Sequence, residues 1–97
     1  MSAFVVFVRE RITDPEEFAT YGKMAPLARD GHEMKALAFY GAIKTLEGDA
    51  VDGSVIIEFP TMAAAQAWYD SPLYQEALQH RLKGADYRVF IVEGVSG

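Results

Sequence analysis

The sequence has no cysteine and no asparagine. Without thiols, disulfides, thiolate nucleophiles, iron–sulfur clusters and cysteine-based zinc sites are excluded together, and redox arguments say nothing about compartment. Positive charge is scarce as well: nine Lys and Arg stand against fourteen Asp and Glu, for a formal net charge of −5. The densest basic cluster is only Arg81 to Lys83, whereas binding to a phosphate backbone needs a concentrated basic face, so nucleic acid is not an expected partner. No apolar run approaches the roughly 18 residues of a membrane span. The opening run, Ala3 to Val8, is short and has no basic flank before it, which suits a strand and not a secretory segment. The default expectation is a cytoplasmic protein with no membrane partner. Ser/Gly/Gln-rich stretches and blocks of like charge are also missing, so the chain is expected to be ordered almost throughout.

What is present is globular: 97 residues, 51% of them hydrophobic. That length supports one domain, residues 1–97, which buries only roughly 60–68% of its unfolded surface. A partner covering apolar surface would help it.

Ala3–Arg9 reads as a first strand, with Phe4, Val6 and Val8 on one face and Val5 and Phe7 on the other. Asp14-Pro15-Glu16-Glu17 starts a helix with an Asp N-cap, Pro at the first helical position and acids over the positive end of the dipole. Phe18, Tyr21, Ala25 and Ala28 follow at helical spacing, with Pro26 expected to kink or restart the helix and Gly31 to stop it. Met34–Ile43 reads as strand two, Glu47-Gly48-Asp49 as a turn and Gly53–Phe59 as strand three. Thr61 caps a second helix with Ala65, Trp68 and Tyr69 on its apolar stripe. Ser71-Pro72 then begins a third, which Gly84 ends. Tyr87–Glu93 is the last strand and Gly94–Gly97 a tail.

The order is β-α-β-β-α-β with the second helix broken in two, a ferredoxin-like α+β arrangement around an antiparallel four-stranded sheet. Helices can cover one face of that sheet. The other face is also apolar in Val55-Ile56-Ile57 and Val89-Phe90-Ile91-Val92, and solvating it would leave a patch larger than monomers tolerate. A homodimer packed sheet against sheet is the economical solution.

The segments ITDPEEFATY (12–21), LEG (46–48), EFP (58–60), AWYDSPLYQEALQHR (67–81) and IVEG (91–94) resemble a family of bacterial proteins catalogued as a domain of unknown function, number thirteen-thirty. The most specific part is A-W-Y-x-S-P-x-Y-Q with an arginine six residues after the Gln. The resemblance covers nearly the whole chain and implies the dimeric α+β-barrel superfamily, which also holds cofactor-independent monooxygenases, haem-degrading enzymes, lactone isomerases and effector-binding domains. It brings no assigned activity, no cofactor and no catalytic residue, and fold alone does not fix function. Relatives carry an Arg-Gly-Gly at the end of strand two where this chain has Phe39-Tyr40-Gly41, so an anion-holding arginine there is lost or replaced by the Tyr40 phenol.

Among candidate residues, Tyr74, Ala77, Leu78 and Arg81 fall on one helical seam, which turns Arg81 inward. A buried arginine needs a partner: either a ligand carboxylate or enolate, or a structural one such as Glu58 or the carbonyls at the helix C-terminus. His80 lies one residue off the seam, on the helix flank, as a candidate base. Tyr21, Tyr40, Trp68, Tyr69 and Tyr74 either line an aromatic pocket between sheet and helices or simply form the core. His32, near Asp30 and Glu33, lacks a defined metal spacing, and no metal is expected. Paired-carboxylate chemistry by Glu58 and Glu93 requires the two to converge. Three readings stand together. The first is a binder of a small, partly apolar, anionic molecule. The second is a cofactor-free oxygenase or isomerase with Arg81 stabilising an oxyanion, and the third a structural protein with a filled core. An empty cavity touching Arg81 or His80 separates the first two from the third.

Overall fold

A computed structural model of the chain describes residues 1–95. Ser96 and Gly97, the end of the expected tail, lie outside the described residues. The elements run β1 (Ala3–Ile12), α1 (Pro15–Met24), a 3-10 turn (Ala25–Arg29), β2 (Lys35–Phe39), β3 (Gly53–Phe59), α2 (Met62–Asp70), α3 (Pro72–Gly84) and β4 (Ala85–Glu93). The strands form one sheet in the order β2-β3-β1-β4, with every neighbouring pair antiparallel. This is the ferredoxin-like α+β fold.

Local chemistry sets the helix limits. The Asp14 carboxylate accepts from the amides of Glu16 (3.1 Å) and Glu17 (3.4 Å), satisfying donors that the first turn leaves free. Pro26 falls inside the 3-10 turn, and Gly31, at φ 81°, takes the left-handed conformation that ends it. Ser71 separates α2 from α3: its backbone is extended, its hydroxyl accepts from the Tyr74 amide (3.4 Å) and donates to the Trp68 carbonyl (2.7 Å).

α1 and α3 run antiparallel and are laced at successive turns. The Gly84 carbonyl accepts from the amides of Thr13 (2.8 Å) and Asp14 (3.0 Å). One turn further on, Glu17 meets His80 at 2.7 Å, and beyond that the hydroxyls of Tyr21 and Tyr74 meet at 2.8 Å. The first rung requires glycine, because a Cβ at position 84 would lie 2.6 Å from the Phe18 backbone nitrogen.

The strand parity divides the sheet as its sequence suggests. Ala3, Val5 and Phe7 of β1, with Val55, Ile57 and Phe59 of β3, are buried beneath Trp68, Tyr74, Ala77 and Leu78. Phe4, Val6, Val8 and Ile56 face the other way, joined by Phe90 and Val92, which are 50% and 46% exposed. No element of the described chain covers that side, and the molecule is only 17 Å along its shortest axis.

Three strand limits differ from those read from sequence, the first being β1, which runs on to Ile12 where Arg9 was the expected end. The second strand, expected over Met34–Ile43, spans only Lys35–Phe39. A bulge lies between Ala36 and Ala38, and Tyr40 turns to φ 53°, so the chain leaves the sheet. The last bond of that hairpin is Tyr40 N–H to the Ser54 carbonyl, and residues 41–50 are exposed and irregular until Asp52 bonds Arg9. The final strand begins at Ala85, two residues before the expected Tyr87.

Gly84→Ala should cost about 1–3 kcal/mol through overpacking against backbone that cannot move aside, and Ser71→Ala about 1 kcal/mol through loss of its cap. Urea denaturation reads both; an unchanged midpoint for Gly84→Ala contradicts the pinned contact.

Candidate functional site

A cavity of about 240 Å³ lies between the sheet and the α1 side of the helical layer. Phe7, Val55 and Ile57 form its floor, Phe18, Tyr21 and Ala25 its roof, and Trp68 and Tyr74 its inner wall. Its mouth is framed by Gly22, Pro26, Arg29 and Phe39, all exposed. An apolar cavity of about 150 Å³ can take up benzene, so this one has room for an aromatic ring with substituents. Of the residues singled out in the sequence, Tyr21, Tyr40, Trp68 and Tyr74 line it. Arg81 and His80 do not, which separates them from the pocket that the sequence reading joined them to. Tyr69 lines a different hollow, with Met62 and Phe90.

The polar groups deep in the cavity are the phenols of Tyr21 and Tyr74 and the indole N–H of Trp68, which is buried with no hydrogen-bond partner. Tyr74 is 0% exposed and Tyr21 8%, and their hydroxyls share one hydrogen bond. Burial pushes the Tyr21 pKa well up, helped by Tyr74, and raises that of Tyr74; Arg81 pulls against this at each without overcoming it. Both are therefore neutral hydrogen-bond donors at ordinary pH and not proton acceptors of the phenolate kind.

Tyr40 holds the edge of the cavity with residues that sequence reasoning missed. Its hydroxyl bonds that of Tyr87, and the Arg9 guanidinium lies 4.8 Å from its ring centroid and 5.2 Å from that of Phe18. Arg9 in turn donates from Nε to the Asp52 carboxylate at 2.8 Å. Burial works against the Arg9 charge, but the hydrogen bonds to Asp52 and Tyr87 prevail and raise its pKa. Burial also drives the Tyr87 phenol up, helped by Tyr40 and opposed by Arg9. Gly53 makes room for this stack, since a Cβ there would sit 2.8 Å from an Arg9 terminal nitrogen. The signal was available: Arg9 continues the alternation of Val5 and Phe7, which points it at the helices.

Arg81 is 4% exposed and lies among rings, its guanidinium carbon 4.9 Å from the Tyr87 centroid, 5.8 Å from Tyr21 and 5.9 Å from Phe7. Its Nε has no hydrogen-bond partner, and no carboxylate among the described residues pairs with it. The expected structural partner, Glu58, is ruled out by register: it sits opposite Phe4, on the sheet face turned away from the helices. Glu93 sits opposite Ala3, on the helical face, so Glu58 and Glu93 do not converge either. His80 is half-buried and bound to Glu17 between the helices. Around His32 no group of three metal-ligating side chains forms among the described residues, and no helix there is long and apolar enough to cross a membrane.

An antiparallel four-stranded sheet with helices on one face and an aromatic hollow beneath them defines an α+β protein of the ferredoxin-like class. Solved structures of that class match along nearly the whole chain. A protein of unknown function from Rhodopseudomonas palustris is similar at 20% identity and TM-score 0.72, covering 99% of this chain and 84% of that one. A dimeric ferredoxin-like protein of unknown function from Thermobifida fusca is similar at 15% and 0.65, covering 96% and 91%. SnoaB, a cofactor-independent oxygenase from Streptomyces nogalater, is similar at 11% and 0.56, covering 99% and 94%. Comparison with curated proteins finds no match. The family model described as Domain of unknown function (DUF1330) matches residues 2–95, and the chain belongs to that family.

The raised phenol pKa values have a consequence at high pH. Each buried tyrosine contributes stability that is whole below the unfolded phenol value of about 10 and is lost as pH rises from there toward its folded value. In alkali, the tyrosinate absorbance of Tyr21 and Tyr74 should therefore appear only together with unfolding. All five tyrosines titrating freely in a still-folded protein contradicts their burial.

Proposed function

We propose that this single-domain chain acts as a homodimer that binds a small, partly apolar, anionic molecule in the cavity between sheet and helices. The observation that carries the reading is the cavity itself, unfilled in a domain small enough that unused space is costly. Its walls are rings, which suit an aromatic or aliphatic body. Its polar groups include phenols held as donors and the unpartnered indole N–H of Trp68, and Arg29 at the mouth joins no ion pair among the described residues. Donors and a free cation favour a ligand that brings acceptors and negative charge.

The homodimer is supported by the uncovered row Phe4, Val6, Phe90 and Val92 and by similar structures described as dimeric. Sheet-against-sheet association should bury more than about 1,200 Å² in total. Sedimentation at micromolar concentration is expected to give a dimer, and a monomer there refutes the assembly.

An enzymatic reading, as a cofactor-free oxygenase or isomerase, draws on the fold shared with SnoaB. It needs a group to move a proton, and the groups suggested for that work suit it poorly: Tyr21 and Tyr74 resist ionisation, and His80 lies outside the cavity, bound to Glu17. Binding without turnover is the better supported function. The filled-core alternative has an open cavity against it, though that cavity touches neither Arg81 nor His80, the contact expected to separate the readings. Native mass spectrometry of protein purified from its own host tests the proposal: a retained small molecule that Trp68→Ala releases is the expected result. Failure to retain any, with no small carboxylate raising the melting temperature, would sink it.

A further inference from the structure

Arg81 presents an unusual combination: a charge taken almost wholly out of water, with no carboxylate opposite it. The rings of Tyr87, Tyr21 and Phe7 replace part of its hydration through their negative faces, but they carry no countercharge. The Tyr21–Tyr74 hydroxyl pair links this cation to the cavity: Arg81 lies against the Tyr21 ring and hydrogen-bonds Tyr74, and both tyrosines line the hollow while Arg81 does not. The pair has two protons. One is spent in the 2.8 Å bond between the oxygens. The other is repelled by the guanidinium and turned away from it, toward the cavity, while oxygen lone pairs face the cation.

We infer that Arg81 is a positioning residue for this site. Its uncompensated charge orients the Tyr21–Tyr74 pair to donate into the cavity, so that the ligand group reaching the inner wall is a carboxylate or similar anionic oxygen. This rests on the binding function proposed above and adds to it the chemistry of the buried end of the ligand. The arginine contacts nothing in the cavity; its field acts through the phenols and across a region of low dielectric, where one charge acting on another at this range changes affinity by about tenfold or more. Its lowering influence on both phenols is consistent with that placement. The same arrangement explains why Arg81 needs no internal carboxylate: one placed beside it would cancel the field at the inner wall.

A pair of probes alike in shape and different in charge tests this, 4-ethylbenzoate and 4-ethylbenzamide, titrated into the intact protein. Trp68 is the sole tryptophan and lines the cavity, so its fluorescence reports occupancy, with calorimetry as the second readout. The wild-type protein should prefer the carboxylate by about tenfold or more. Arg81→Met should lower that ratio by about tenfold with amide affinity held within about twofold, leaving only what Arg29 contributes, and Arg81→Lys should restore the preference. A ratio that survives Arg81→Met, or equal weakening of both probes, overturns the inference and leaves Arg81 a packing residue. Should Arg81→Met fail to fold, Tyr74→Phe removes the intervening hydroxyl and is expected to lower the ratio; an unchanged ratio again overturns it. Equal wild-type binding of the two probes defeats this inference alone, whereas no binding of either defeats the proposed function with it.

Discussion

The antiparallel lacing of α1 to α3 is the constraint on which the rest of the molecule depends. Its rungs become more buried as they proceed, from backbone bonds at Gly84, through the half-buried Glu17–His80 pair, to the enclosed hydroxyls of Tyr21 and Tyr74. Each rung fixes α1 one turn further along, so Phe18 and Tyr21 are held over the sheet without needing apolar neighbours to fill the space beneath. The hollow under α1 and the 3-10 turn is therefore a consequence of helix spacing set elsewhere. A Cβ at position 84 would disturb the first rung and shift the roof of the cavity with it.

The two inward-facing arginines are treated in opposite ways. Arg9 is neutralised by Asp52, stacked on Tyr40 and given space by Gly53, which makes it part of the wall. Arg81 receives rings and the Tyr74 hydroxyl but no carboxylate. The Arg9 pair keeps its carboxylate in contact with water, whereas a lone buried cation must be tolerated by its surroundings from the outset. The aromatic content of this small chain serves that second purpose as well as packing. Phe7 and Tyr21 each touch both the guanidinium and the cavity, so the same rings screen a charge on one side and offer an apolar surface on the other.

Much of the fold was legible because its signals are local. Asp14-Pro15, Thr61 and Ser71-Pro72 act through bonds to amides two or three residues away, so they can be read without knowledge of the tertiary structure. The two apolar faces of β1 and β3 were equally legible, since alternation alone reports them. The end of β2 was not: Phe39, Tyr40 and Ile43 suit a strand by composition, and only the left-handed turn at Tyr40 shows that the chain departs there. Of the site, Tyr21, Trp68 and Tyr74 could be named from helical spacing and Tyr40 from its place at the expected end of strand two, but which charges face which could not. Glu58 and Arg81 look compatible in sequence, and a single residue of strand parity puts the sheet between them. Arg9, by contrast, was overlooked at the end of a strand whose parity already pointed it inward.

The mouth of the cavity has a kinetic consequence. Gly22, in the interior of α1, has nothing within 4 Å of where a side chain would begin, and it stands at the opening beside the rigid ring of Pro26. Glycine costs a helix about 1 kcal/mol relative to alanine, so the bare position weakens α1 while leaving that side of the mouth open. An occupant of the cavity would then enter and leave without waiting for a hinge, and its residence time would follow from how well the inner wall holds it. Under the proposed binding function, a site of that kind would track the free concentration of its ligand from moment to moment.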